Sequence, residues 1–293
     1  MQPDVDPTGA YVVYALGVPL VLALIFIEVL VCSLRGWRYY NTSDTLGSLG
    51  LLAGNIIVNG ALKATTLGFY LYLYQFRLFD LSASLPVWAI WVLSFIAIDF
   101  TFYWYHRASH RVRFLWAVHM NHHCSQQMNF VVAFRQAWLG PVTKVPFFAA
   151  LPLLGLDPTI TLVAGVASTL WGVVGHTRII GTLWRPLEWL FNTPSHHRVH
   201  HGSNPQYIDK NYGNLFIIWD RMFGTFEPEQ AEVRYGLRTN LETSNPFVIT
   251  VVDWIALWRK MRESESLPEA LGYCFGPPDW QPARLRNELA ESN

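Results

Sequence analysis

Residues 85–123 read LPVWAIWVLSFIAIDFTFYWYHRASHRVRFLWAVHMNHH, a stretch that changes character once. From Leu85 to Tyr105 it is almost wholly apolar, and its length suits a helix crossing a bilayer core of about 30 Å. It closes on Trp104 and Tyr105, side chains that favour the membrane interface. From His106 onward it is rich in imidazole: His106 and His110 stand four apart, and His119 reaches His122 and His123 at three and four. On a helix each set projects from one face. A span that delivers a histidine surface to the edge of the membrane therefore sets the frame for the rest of the chain.

Two further spans precede it. Tyr11 to Leu34 is interrupted only by Glu28 and ends at Arg35-Gly36-Trp37-Arg38; Thr45 to Tyr74 contains Lys63. The first has Asp4 and Asp6 where a signal peptide has a basic region, and no small-residue cleavage site, so it is expected to be retained. Glu28 and Lys63 are expected to form a structural pair or to snorkel. Downstream, Trp138 to Leu156 and Pro158 to Gly175 read as a hairpin of two shorter spans, the first broken by Pro141, Pro146 and Pro152. A re-entrant hairpin has the same signature. The fold class expected is all-α, a polytopic membrane helical protein of about four to five spans with a cytoplasmic histidine-rich di-metal helical cap. Residues 1–84 hold the N-terminal spans, 85–240 the histidine motifs, and 241–293 a cytoplasmic tail whose helix near Val248 to Arg262 is expected at the membrane surface.

Composition agrees. Of 293 residues only 14% are charged, against about 25% in soluble domains, while 52% are hydrophobic and 13 are Trp. This is more apolar surface than a soluble core buries. Acidic and basic residues balance at 21 each without a Lys/Arg run, which excludes a nucleic-acid partner bound through phosphates. Three scattered cysteines, Cys32, Cys124 and Cys274, make neither a disulfide framework nor a thiolate metal site. Arg35 and Arg38 follow the first span, and Arg107, Arg111, Arg113 and Arg135 fall between the third and fourth with no acidic residue among them, so these loops are expected in the cytoplasm. The same four arginines also offer a face for an acidic electron carrier, although positive-inside anchoring explains them more economically.

Nine of the ten histidines lie in 106–123 and 196–201; the tenth is His176. Imidazole suits iron, zinc, copper and nickel, and this many nitrogens exceed what one four- to six-coordinate ion uses, so two metals are expected. The candidate ligands are His106, His110, His119, His122, His123, His176, His197, His200 and His201. His196 lies outside the HxxHH frame. Arg107 and Met120 stand where a zinc protease has the Glu of HExxH. Asp99 and Asn129 are the candidate catalytic residues besides the ligands. Asp99, two helical turns before His106, is expected either to accept an imidazole N–H and orient the ring or to act as a cap or a partner of Arg107. Asp209, Lys210 and Asn211 are expected to orient ligands or to form a turn before the Tyr212 segment, and Thr193 or Ser195 to cap the helix that Pro194 opens.

The elements His106-x-x-x-His110, His119-x-x-His122-His123 and His197-x-x-His200-His201, with His176 between, resemble the signature of the fatty acid hydroxylase and sterol desaturase superfamily of integral-membrane di-iron oxygenases. Asp99-Phe100 with Tyr103 to Arg107, Asn192 to Gly202, Ile208 to Gly213 and Ile218 to Phe226 are similar in particular to its alkylglycerol monooxygenase branch. The resemblance covers residues 95 to 240 and makes 85–240 a fatty acid hydroxylase catalytic domain. It implies two iron ions, a lipid substrate hydroxylated with O2, and, in this branch, cleavage of an ether lipid through an unstable hemiacetal. Desaturation or hydroxylation of a sterol or fatty acyl chain is the alternative on the same scaffold. The branch is similar in using a reduced pterin, whereas relatives take electrons from a cytochrome or ferredoxin, an electron-transfer protein then being the partner. No GxGxxG, P-loop or haem motif occurs, so electrons must come from outside. A histidine-rich metal carrier, the rival from another class, would need polar residues along its spans, and these interiors are apolar. The setting expected is a bacterial inner membrane or the endoplasmic reticulum, with the histidines on the cytoplasmic side. Cysteine probes at positions 2 and 292 should then label from opposite faces; labelling from one face would mean an even number of crossings.

Overall fold

The computed structural model describes residues 8–285; the two labelling positions lie outside them. Three helices are long and apolar enough to cross a membrane: α1 (Thr8–Arg35), α2 (Thr42–Tyr74) and, after the single turn of α3 (Leu81–Ser84), α4 (Val87–Arg111). They expose large apolar side chains such as Leu16, Phe26, Ile57 and Trp88, the surface a helix presents to lipid. The side chain of Asn41 caps α2 by accepting the Asp44 N–H at 3.0 Å.

The proline-broken stretch forms two short helices, α6 (Gly140–Phe148) and α7 (Ala150–Leu153), and the second arm is α8 (Pro158–Val174). Asp157 caps α8, accepting from the Thr159 and Ile160 N–H groups. The hairpin tip turns at Gly155, whose φ of +95° suits glycine and where any side chain would strike the Phe79 carbonyl. There the Leu78 N–H donates to the Leu153 carbonyl at 2.7 Å. The tip thus meets the far end of α2 and the start of α4, where Leu151 and Leu156 pack with Ile98, Trp91 and Leu81. α8 packs against both α1 and α4.

All the histidine-bearing segments gather at the opposite end. The chain reverses at Val112 into α5 (Arg113–His123), followed by a 3-10 turn at Phe130–Phe134, then α9 (Arg185–Leu190), α10 (Pro194–His200) and α11 (Ile218–Phe223). Among the described residues there is no strand, and two isolated bridges, Phe191 with Phe216 and Gly202 with Tyr235, tie the cap together. Glu28 and Lys63 do not pair. The Glu28 carboxylate accepts from Tyr40, Phe130 and Thr177, while the Lys63 ammonium lies 5.8 Å over the Tyr14 ring.

The last two helices, α12 (Pro246–Arg262) and α13 (Leu267–Phe275), pack on α5. α12 is fixed at two span ends: Ser244 and Pro246 abut Gly47 and Gly50 near the start of α2, and Asp253 holds Arg113, just past α4, at 2.6 Å. Away from these anchors it exposes Phe247 (67%), Val251, Ile255 and Trp258 (62%) at helical spacing and ends in Arg259, Lys260 and Arg262. That pattern matches a helix lying in the headgroup boundary. In liposomes a nitroxide at residue 255 should relax more with oxygen than with a water-soluble nickel chelate, and one at residue 265 the reverse; equal exposure of 255 and 265 to the chelate would place α12 in water.

Candidate metal centre

The last two turns of α4 carry His106 and His110, α5 carries His119, His122 and His123, α10 with its cap carries His197, His200 and His201, and His176 follows α8 by two residues. Thr193 caps α10 in a capping box with His196. These segments bring all nine expected histidines together in two groups. His106, His110, His119, His123 and His200 form one; His122, His176, His197 and His201 form the other; within each, one nitrogen per ring lies within 4.8 Å of all the others.

Backbone carbonyls set the rings. His106 Nδ1 donates to Tyr212 O at 2.7 Å, His200 Nδ1 to Lys210 O at 3.0 Å, His176 Nδ1 to Gly172 O at 2.9 Å and His122 Nδ1 to Arg135 O at 3.3 Å. A carbonyl only accepts, so each of these Nδ1 atoms bears the proton and each Nε2 is left with a lone pair. The consequence is sharpest between His122 and His176, whose Nε2 atoms face each other at 3.1 Å with no proton between them. In the other group, the buried Nε2 atoms of His110 and His200 have no hydrogen-bond partner at all. Burial pushes His119, His122, His123, His197 and His201 well below the ordinary imidazole value, His176 to about 3 and His200 to about 4. At neutral pH these rings are uncharged, and facing lone pairs in a dry site repel. A metal cation in each group would turn that repulsion into coordination, and all-imidazole donors suit iron, zinc, copper or nickel.

The carbonyls are themselves held in place. Asp209 and Asn211 both adopt positive φ, 60° and 56°, on either side of Lys210. Such backbone is unusual for residues with side chains and needs surrounding support. Asn211, fully buried, donates to His196 O and Glu227 O and accepts from the Glu227 N–H. Asp220 accepts from the Tyr212 and Gly213 N–H groups, each at 2.8 Å, and from the Thr225 hydroxyl at 2.6 Å. Asp220 was not among the residues expected at the site; its position inside Trp219-Asp220-Arg221 gave no spacing to a histidine that would have singled it out.

Other expectations change. Asp99 touches no imidazole: its carboxylate accepts from the Leu215 and Phe216 N–H groups at 2.7 and 3.1 Å and from the Trp219 indole at 2.8 Å, bracing the loop that follows Tyr212. Asn129 likewise points away, its oxygen capping the 3-10 turn at Val131 N and its amide donating to Tyr39 O at 2.6 Å. His196 belongs to neither metal group and pairs with Glu188 at 3.0 Å. The four arginines do not form one basic face either. Arg135 is buried against Asp44 and Cys124, Arg113 is paired with Asp253, Arg111 with Asp209, and Arg107 donates to the Tyr103 hydroxyl.

The fatty acid hydroxylase family model matches residues 91–225, which contain all nine clustered histidines. The chain is 36% identical over 250 residues to alkylglycerol monooxygenase of Xenopus tropicalis, covering 85% of this chain and 55% of that protein. It is 34% identical over 275 residues to alkylglycerol monooxygenase of Homo sapiens, covering 93% and 61%. A bacterial relative, ornithine lipid hydroxylase OlsE of Rhizobium tropici, is 29% identical over 149 residues, 50% of this chain and 45% of that one. The chain thus spans just over half the length of the alkylglycerol monooxygenases it matches. No solved structure matches it. Residues 91–225, from within α4 through the hairpin to just past α11, are thus a fatty acid hydroxylase domain.

Proposed function

We propose that this protein is an integral-membrane oxygenase that hydroxylates a lipid C–H bond with O2 and external electrons, on a carbon next to an ether oxygen. The observation that carries the reading is the pair of buried imidazole groups with facing or unpartnered Nε2 lone pairs. Two iron ions held there would supply, when reduced, activation of O2 toward an unreactive C–H bond. The chain contributes the rest. Carbonyls of Gly172, Arg135, Lys210 and Tyr212 fix which ring nitrogen faces inward, and close packing of α4, α5 and α10 keeps water from the site. Inserting one oxygen atom consumes two electrons and two protons and releases the second atom as water. A hydroxyl placed beside an ether oxygen is a hemiacetal, which splits into an aldehyde and an alcohol.

The ether position rests on the similarity to alkylglycerol monooxygenases over 85–93% of the chain. Electrons come from a reduced pterin or from a cytochrome or ferredoxin, and the lipid enters from the membrane in which α1, α2 and α4 sit, with the cap on its cytoplasmic side. Iron-loaded wild-type protein should hold about two ions per chain. His122→Ala and His200→Ala should each lose about one while the protein still inserts, His122→Ala emptying the four-histidine group and His200→Ala weakening the other. One ion or none in folded, iron-supplemented wild type would count against the reading. With labelled oxygen gas, label should enter an ether lipid only when reductant is added and should vanish in His123→Ala; turnover without reductant would overturn the oxygenase reading, and label in sterols or fatty acyl chains alone would overturn the ether-lipid assignment.

A further inference from the structure

Glu28 is a carboxylate about two turns before the end of an apolar span, fully buried, and its three hydrogen-bond partners among the described residues include no Lys or Arg. Burying such a group is unfavourable unless it is fully hydrogen-bonded. It has three partners and all three are donors: the Tyr40 hydroxyl at 2.6 Å, the Phe130 N–H at 2.8 Å and the Thr177 hydroxyl. The two hydroxyls donate to it here, and the Phe130 N–H can do nothing else.

Each donor belongs to a segment that leads to the four-histidine group. Thr177 follows His176 directly, and its carbonyl accepts from Arg198, the neighbour of His197, at 3.0 Å. Phe130 opens the 3-10 turn that ends at Arg135, whose carbonyl receives the His122 Nδ1 proton. Tyr40 sits in the link between α1 and α2, next to Tyr39, whose carbonyl takes the Asn129 amide and whose ring lies under the Arg178 guanidinium at 4.2 Å. The five-histidine group takes its orientation from elsewhere, from Tyr212 and Lys210 on the loop that Asp220 and Asn211 hold.

We infer that Glu28 is a positioning residue for one metal group only: the first span reaches into the cap and, through Thr177 and the Phe130–Arg135 turn, sets His176 and His122 at the spacing a cation needs. The inference rests on the two groups being metal sites and adds that they have separate supports.

The test measures iron stoichiometry, affinity and the Mössbauer spectrum of 57Fe-loaded protein in wild type, Glu28→Ala, Glu28→Gln, Thr177→Val, His122→Ala and His110→Ala, together with Glu28→Ala combined with each histidine variant. Glu28→Ala should weaken one of two iron ions about tenfold or more, altering one Mössbauer component and leaving the other. Combined with His122→Ala it should lose nothing further, whereas combined with His110→Ala it should affect both ions. Glu28→Gln, which keeps an accepting oxygen but meets a donor with its NH2, should fall between wild type and Glu28→Ala. Should Glu28→Ala fail to insert, Glu28→Gln and Thr177→Val carry the same comparison. Two ions bound at wild-type affinity in these variants, or equal weakening of both, overturns the positioning role. Fewer than two ions in wild type, or no effect of His122→Ala and His110→Ala, overturns the metal reading instead.

Discussion

A neutral imidazole buried away from water, with its Nδ1 proton committed to a backbone carbonyl, keeps one lone pair that only a cation or a neighbouring N–H can take. The cap meets that constraint four times in a small volume. Where two such rings face each other, as His122 and His176 do at 3.1 Å, the fold has placed like against like, a repulsion that a cation would relieve. Any affinity for metal would be built by the elements that commit the Nδ1 protons elsewhere and turn the lone pairs inward.

Those elements are held by carboxylates surrounded by donors. Glu28 gathers the α1–α2 link, the 3-10 turn and the segment after α8; Asp99 gathers the loop at Leu215 and Phe216; Asp220 holds Tyr212 and Gly213. Each uses accepting side-chain oxygens to pin backbone that no helix or sheet would fix, and pinned backbone supplies the carbonyls that orient imidazole. Arg135 shows the same division of labour in one residue. Its guanidinium binds Asp44 at the start of α2 while its carbonyl takes the His122 proton.

Helices could be read from the sequence because apolar length and histidine spacing are properties of the local chain. The two metal groups could not, because they cut across the motifs. The i, i+4 partners His119 and His123 stay together, as do His197 and His201, but His122 joins the second pair and His200 the first. The i+3 member of each motif lies about 100° around the helix from the i+4 member, enough to aim it into a different group once two helices cross. Asp99 was placed on the correct face of α4 by its spacing, yet spacing says nothing of what the face meets, and it meets a loop more than a hundred residues downstream. The ring-orienting groups are main-chain atoms of Lys210 and Tyr212, invisible to any reading of side-chain types. The arginines misled in the opposite way: their sign suits a cytoplasmic surface, but Arg135 and Arg113 are turned inward to acidic partners.

The reach of Glu28 also bears on how the protein is made. Two of its donors lie 102 and 149 residues further along the chain. At roughly 5–20 residues per second of synthesis, the first span waits several seconds to tens of seconds in the translocation machinery or the bilayer before they exist. Tyr40, only 12 residues on, is the one donor available early. The nascent first span is thus a poorly satisfied membrane segment during much of translation, the stage at which a membrane chaperone or a protease would meet it.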